Sequence, residues 1–370
     1  MPETKLSSQR LLSLDFLRGF IMVSLMLGET GFFRKLELAV PNSVTAFLAY
    51  EFEHSGWHGL RFWDVILPGF MLLAGTSLAY SFRRQQELGY TWTDSFKKTL
   101  RRSFWLLFWG ILIYAVRDGH LNFQMSNVLT QLSFTTLIAF LVINRSTATQ
   151  LIVSILCLVI PEILYRSILI PGYDQPFVEF HNFGSFINKS IGIKVDIQHK
   201  TNTINFIASS AHTIWGVMAG QLIMSKKTVH EKVAWLIAGG VVSIIIGVGM
   251  DLTEITPLLK WISTSSFVLV TGGITLLVLA ASYYIIDGLG RKNNLKFFTI
   301  VGMNSIFIYL FFIFIGDLWL NGYMDILVSG LLSFAGVPLA VGSALSCLVV
   351  FAIEWYLCYF LYRKKLFFKL

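Results

Sequence analysis

Residues 61–84 read RFWDVILPGFMLLAGTSLAYSFRR. A helix needs about 20 mainly apolar residues to cross a bilayer. This run supplies them between Arg61 and the pair Arg83 and Arg84, with Asp64 as its one acid. Runs of the same kind recur along the chain. They place ten spanning helices at 12–33, 61–82, 101–116, 127–143, 149–168, 204–225, 233–250, 263–286, 296–316 and 336–362. The stretch 322–335 is apolar but short, carries Gly330 and ends beside Gly336; it is expected to be re-entrant or interfacial rather than spanning. Composition agrees with this pattern. Of 370 residues, 55% are hydrophobic and only 14% charged, with 32 Phe. Soluble domains carry about 25% charged residues, so a soluble enzyme, a disordered chain and a nucleic-acid-binding domain are excluded. The expected fold is all-α: a polytopic transmembrane helix bundle forming one domain over 1–370.

The net charge of +8 needs a location before it means anything. With the N-terminus inside, 20 of the 29 Lys and Arg fall on the inner side and nine on the outer. That asymmetry predicts both termini in the cytoplasm. The positive charge is therefore a topology signal and not a nucleic-acid footprint. Lys5 and Arg10 before the first apolar run imitate a signal peptide, but Asp15 and Arg18 enter the run and no small-residue cleavage pattern follows. The expectation is an uncleaved first helix. Cys157, Cys347 and Cys358 lie in apolar stretches without metal-type spacing and read as packing residues. No metal site is expected. Two outer segments are long, 34–60 and 169–203, which points to recognition on the outer face.

Ionisable residues inside a span are costly and are functional candidates by default. The set is Asp15, Arg18, Glu29, Asp64, Glu162, His212 and Glu354, with His54 just outside the second span. The densest cluster, EFEHSGWHGLRFWD at 51–64, holds His54, Trp57, His58, Trp63 and Asp64. An imidazole titrates near neutral pH, and a carboxylate beside it fixes its tautomer and steadies its charged form. That pairing suits acid–base work; the competing reading is an interfacial belt of Trp and His. Asp15 and Arg18, three apart, read as a local ion pair or as a contact for phosphate. Glu29 ends the first span on the same leaflet as His54. Asn304 is either interhelical glue or a ligand contact. Ser265 caps the eighth span or lines a cavity, and a lone His212 reads first as a packed, hydrogen-bonded side chain.

Five segments in order, RLLSLDFLRGF (10–20), LGE (27–29), HSGWHGLRFWDVILPGFMLLAGTSLAYS (54–81), KWISTSSFVLVTGG (260–273) and VGMNSIFIYL (301–310), resemble the heparan-α-glucosaminide N-acetyltransferase family, and most of all its bacterial membrane relatives. The resemblance spans nearly the whole chain; 169–203 carries none of it. It implies a transmembrane N-acetyltransferase. Acetyl-CoA is used from the cytosol, and the acetyl group passes to the amine of glucosamine or a terminal glucosaminide on the far, periplasmic side of a bacterial plasma membrane. The H-x-x-W motif places the family's active-site histidine at His54, and Asp64 matches the motif's acid. Glu29 stands where the eukaryotic enzyme has Asn, and is expected to bind the amine or act as a second base. Trp57, His58, Asn304 and Ser265 are the substrate-side candidates, with Asn304 or Ser265 placed to stabilise the tetrahedral oxyanion. Arg18, Arg101 and Arg102 are the candidates for CoA phosphates. The eukaryotic relative implies a homodimer. Two other readings stay open: a proton-coupled amino-sugar permease using the same cluster, and an envelope polysaccharide O-acetyltransferase.

Overall fold

The computed structural model describes residues 11–197 and 200–368. Arg10 of the first motif and Lys5 and Lys369 of the charge tally lie outside the described residues. Fifteen α-helices follow one another, with no strand among the described residues. They are α1 (Leu12–Glu29), α2 (Phe32–Ala39), α3 (Ser43–Glu51), α4 (Phe62–Glu87), α5 (Trp92–Asp118), α6 (Val128–Val142), α7 (Thr147–Ser167), α8 (Phe183–Ser190), α9 (Phe206–Met224), α10 (Val229–Leu252), α11 (Ser265–Ser282), α12 (Lys296–Gly302), α13 (Ser305–Phe311), α14 (Asn321–Phe334) and α15 (Leu339–Arg363). Two π-helical pieces extend this set: Tyr283–Gly288 continues α11, and Phe312–Leu320 joins α13 to α14.

Among the described residues seven helices are long and apolar enough to cross a membrane, and an eighth is reached if α1 and α2 count as one bent span. The ten expected spans all have helices. However, α6 is only 15 residues long, α9 is not among the seven, and α1 passes only together with α2, across a 55° bend. Gly31 makes that bend with φ of +73°, a conformation glycine adopts without a Cβ clash. The third span starts at Trp92, well before 101, because Thr91 and Asp94 close a capping box there.

The expectation for 322–335 changes in one respect. The stretch is not a separate element: Ser305–Phe334 is one helical run of 30 residues, counted as a single candidate span. Gly322 and Gly330 have open space around them and interrupt nothing. The turn comes at Gly336 (φ +78°) and Pro338, after which α15 packs back on α14, with Ser346 Oγ donating to Asp325 Oδ1 at 3.0 Å. The break that does occur is earlier than expected, at Met303 and Asn304, between α12 and α13.

Burial separates centre from rim. The spanning window of α4 is 67% buried and that of α10 only 17%. Large apolar side chains such as Trp235, Ile245, Ile326 and Leu331 face outward. An apolar coat of this extent is what a lipid environment requires and water opposes. At the centre α4 and α9 lie in backbone contact. A Cβ on Gly75 would strike the carbonyl of Thr213, and one on Gly216 that of Leu72. Small residues permit that approach, the usual device between helices in lipid. It fixes the helix that begins near Asp64 against the helix that carries His212.

Candidate active site

Asp64 sits in the first turn of α4 and is 1% exposed. Its Oδ2 accepts from the backbone N–H of Ser55 and of Arg61, both at 3.1 Å. The Arg61 bond caps α4, and Glu51 Oε2 accepts from Phe62 N beside it at 2.8 Å. A carboxylate at a helix N-terminus is favoured by the helix dipole. The other oxygen, Oδ1, faces two side chains: His54 Nδ1 at 3.1 Å and Lys260 Nζ at 3.0 Å. Lys260 also touches His54 Nδ1 and lies 3.2 Å from Nε2. The three groups form one charge-compensated knot. A proton on Nδ1 directed at Asp64 leaves Nε2 as the basic lone pair, with 45% of the His54 side chain still open.

Both basic groups outside the spans are shifted in the same direction. Desolvation pushes His54 below its ordinary 6.5; Asp64 pulls upward and the Lys260 charge pushes down again. Burial lowers Lys260 to about 8, against the pull of Asp64. Near neutral pH the knot therefore holds a neutral imidazole beside an ammonium that has begun to titrate. The turn that carries Lys260 is tightly tied. Thr264 Oγ1 donates to Pro257 O at 2.8 Å, and Ser263 takes φ of +49°, unusual for a residue with a Cβ.

These groups line a cavity of ≈230 Å³ together with Glu29, Trp63, Tyr114, Arg117, Gln131, Asn205, His212, Trp261 and Tyr309. Arg117 is paired with Asp317 at 2.9 Å, and Glu29 lies within electrostatic reach of both. A second cavity of ≈280 Å³ is lined by Arg18, Ser77, Ser81, Arg102 and Ser305, with no acid among its lining residues. Arg18 Nη2 donates to Ser77 Oγ at 2.6 Å and Nη1 stands 3.5 Å from Asp15, which is the local ion pair of the first reading, on a residue that also lines this cavity. The cavities share Val128 and Tyr309 as common wall, and the Tyr309 hydroxyl bonds the Val128 backbone. They lie toward opposite ends of three helices: Glu29 against Arg18 on α1, Asp64 against Ser77 on α4, Arg117 against Arg102 on α5. On α4 the 13-residue separation corresponds to roughly 20 Å along the axis.

The expected residues divide. The fold brings His54, Asp64 and Glu29 to one cavity, and Arg18 and Arg102 to the other. Five others sit elsewhere. Arg101 is exposed on α5 and lines neither cavity. Trp57 donates from Nε1 to Phe177 O at 2.7 Å and packs near Tyr165, so it anchors the long 169–203 loop. His58 pairs with Asp251 at 2.8 Å on the exposed surface. Ser265 donates to Leu158 O on α7, and Asn304 ties down the C-terminal segment through Leu366 O and Phe368 N. Asn304 thus joins the break between α12 and α13 to the segment that follows α15, and not one helix to another. His212 is packed, as its first reading had it, and also lines the His54 cavity.

Lys260 was missed. The sequence reading counted it only as one of nine outer cations. The usable signal was a lysine beside a tryptophan on the side poor in positive charge, within a segment quoted for other reasons. Arg117 and Tyr309 were also missed, because a helix-end cation and a buried tyrosine carry no pattern. No protein-family model matches this chain, and no curated protein matches it.

Proposed function

We propose that this chain is a membrane-embedded acetyltransferase that moves acetyl from acetyl-CoA to the primary amine of glucosamine or a glucosaminide. The observation that carries this reading is the pair of cavities set toward opposite ends of α1, α4 and α5, one cationic and one built around His54, which share Tyr309 and Val128 as lining residues. On this reading the charge bias of the loops puts the Arg18 end and both termini on the cytoplasmic side, and the family resemblance puts the bundle in a bacterial plasma membrane.

The cationic cavity fits a phosphorylated carrier. Arg18 and Arg102 are close enough for their charges to repel, and Arg102 has no ionic partner among the described residues. Phosphate oxygens relieve that repulsion. Bound acetyl-CoA supplies an activated acetyl group as its thioester. In the outer cavity His54 Nε2 accepts the proton that the acceptor's ammonium must lose before its nitrogen attacks. Asp64 holds Nδ1–H and steadies the imidazolium that results; as the tetrahedral intermediate collapses the C–S bond breaks, and the departing CoA thiolate takes up the second proton that the amine nitrogen gives off. Lys260, hydrogen-bonded to Asp64, places positive charge where the tetrahedral oxygen develops. Glu29 is the cavity's other carboxylate and receives the cationic amine. Trp63 and Trp261 wall the site against bulk water.

A second reading, the proton-coupled amino-sugar permease, draws on Glu354. It is 1% exposed, its Oε2 has no partner, and it lies within electrostatic reach of Glu29. Buried acids of this kind serve as proton relays. One experiment separates the two. Purified protein in liposomes receives acetyl-labelled acetyl-CoA and glucosamine, with His54→Ala alongside. Label in N-acetylglucosamine with wild type and not with the variant supports the acetyltransferase. Sugar uptake without acetyl transfer replaces it with the permease. A requirement for a hydroxyl in place of the amine makes it an O-acetyltransferase.

A further inference from the structure

Three side chains in the wall of the His54 cavity have buried polar atoms with no partner: Gln131 Oε1, Asn205 Oδ1 and His212 Nδ1. The residues are 1%, 4% and 1% exposed. A buried group left unbonded is expensive, and each one in a folded chain calls for an explanation.

All three are acceptors, and their neighbours settle this. Gln131 Nε2 donates to Met125 O at 3.0 Å, and Asn205 Nδ2 donates to Trp261 O at 2.9 Å. Turning either amide over would set oxygen against oxygen, so Oε1 and Oδ1 are the free ends. His212 Nε2 lies 3.0 Å from Val268 O and 3.1 Å from Thr271 Oγ1. The Thr271 hydroxyl already donates to Phe267 O at 2.7 Å, so Nε2 carries the imidazole proton and Nδ1 is a bare lone pair. The fold thus gathers three neutral acceptors from α6, α9 and the turn before α9, and leaves each without a donor.

The surroundings narrow the ligand class. Trp261 lines the same cavity, fixed by Nε1 donating to Gly56 O at 2.5 Å and standing edge-on to His54 with ring centroids 5.5 Å apart. Lys260 and Lys200 place their ammonium groups 4.9 and 5.7 Å from the centroid of that ring, and an indole edge beside several acceptors suits a ring that carries several hydroxyl donors. An acidic or phosphorylated ligand would find only repulsion at these atoms.

We infer that Gln131, Asn205 and His212 form a hydroxyl-recognition subsite in the His54 cavity, which receives the ring hydroxyls of a pyranose whose amine faces His54. This rests on the acetyltransferase reading only for the orientation of the amine. The subsite makes ring hydroxyls, and not the amine alone, the basis of acceptor choice.

The test is equilibrium binding of radiolabelled glucosamine to the purified full chain, competed by its 3-deoxy, 4-deoxy and 6-deoxy analogues. The acetyl-transfer KM for each sugar is measured in parallel. At least one deoxy analogue is expected to compete about 10-fold more weakly or worse, the loss of one good buried hydrogen bond. In Asn205→Leu or Gln131→Met glucosamine is expected to weaken by a similar factor, and the matching deoxy analogue to lose nothing more. The analogue series on wild type keeps the test decisive if a variant fails to fold. Equal competition by all three analogues, or no glucosamine binding, overturns the subsite. The two readings fail separately. Binding with this hydroxyl preference but without acetyl transfer leaves the subsite standing and ends the transferase. Transfer with one KM for every analogue does the reverse.

Discussion

In the His54 cavity the charges are answered from within the protein: Asp64 by Lys260 and Arg117 by Asp317. The Arg18–Arg102 cavity gathers two cations and no acid among its lining residues. The first is lined mostly by helices, but His54 and Lys260 enter it from loops, 52–61 and 257–264, pinned by backbone bonds such as Gly59 N to Leu258 O at 3.1 Å. The second is built from the faces of helices. The contrast separates two tasks. Groups that move protons have to be held in one arrangement before a substrate arrives. In the proposed reading, groups that hold a charged carrier gain most when some of their charge is left for that carrier to answer: Arg18 keeps Asp15 at 3.5 Å, while Arg102 has no ionic partner among the described residues.

Removing the centre of the knot breaks the first half of this comparison, with the largest expected effect. In Asp64→Asn, Lys260 is left a buried cation without its anion, and α4 loses its anionic cap. Breaking a buried pair on one side costs about 3–5 kcal/mol. Thermal unfolding in detergent is expected to show that loss, and transfer to be abolished. Lys260→Met in the same background is expected to restore much of the stability and none of the activity. If the double variant is no more stable than Asp64→Asn, the two charges are not coupled. His54→Ala comes next. Transfer is expected to fall about 10²- to 10⁴-fold, the usual weight of a general base, with the unfolding midpoint unchanged. Retained turnover removes His54 from the chemistry.

The sequence exposed these two regions unequally. His54 and Asp64 were legible because they stand ten residues apart, across one loop and one helix start, so local spacing alone brings them together. Lys260 was not, since it reaches Asp64 from 196 positions away and only the packing of the bundle decides that contact. The same reason hid the fate of Trp57, which local pattern assigned to a sugar and tertiary contact assigned to Phe177. The helices were legible from apolar length. Their ends were not where a break depends on something other than hydropathy. Asp317, Asn321 and Gly322 look like the end of a span, yet a π-helical segment carries the helix straight through them. Among the arginines, positive charge near the inner face says which side a residue is on and nothing about which way it points. Arg101 and Arg102 are neighbours in sequence, and only one reaches the cavity.

That neighbouring pair sharpens the second half of the comparison. Arg102→Gln and Arg18→Gln are each expected to weaken CoA binding about 10-fold, the order of a charge-assisted hydrogen bond, while the acceptor's KM stays unchanged. The loss is expected to shrink at high salt. Arg101→Gln, with the same change in net charge one residue away, is expected to leave CoA affinity as it was. Equal effects at 101 and 102 would mean that the whole basic face attracts the carrier and that the cavity does not hold it.

The smallest effect expected is a change in slope with pH. Lys260 holds its proton less tightly in the folded chain, at about 8 against an ordinary 10.5. Between those values the unfolded chain binds more protons than the folded one, so stability rises as pH climbs through that window, and below it the penalty is complete. Transfer runs the other way, because it uses the ammonium. Its rate is expected to rise below pH 6.5 as His54 loses its proton and to fall above about 8 as Lys260 does. Lys260→Arg keeps a charge that does not titrate in this range. In that variant the alkaline fall in rate and the alkaline gain in unfolding midpoint are expected to disappear together. If the alkaline fall persists in Lys260→Arg, it belongs to another group, and Lys260 holds Asp64 in place without touching the developing oxyanion.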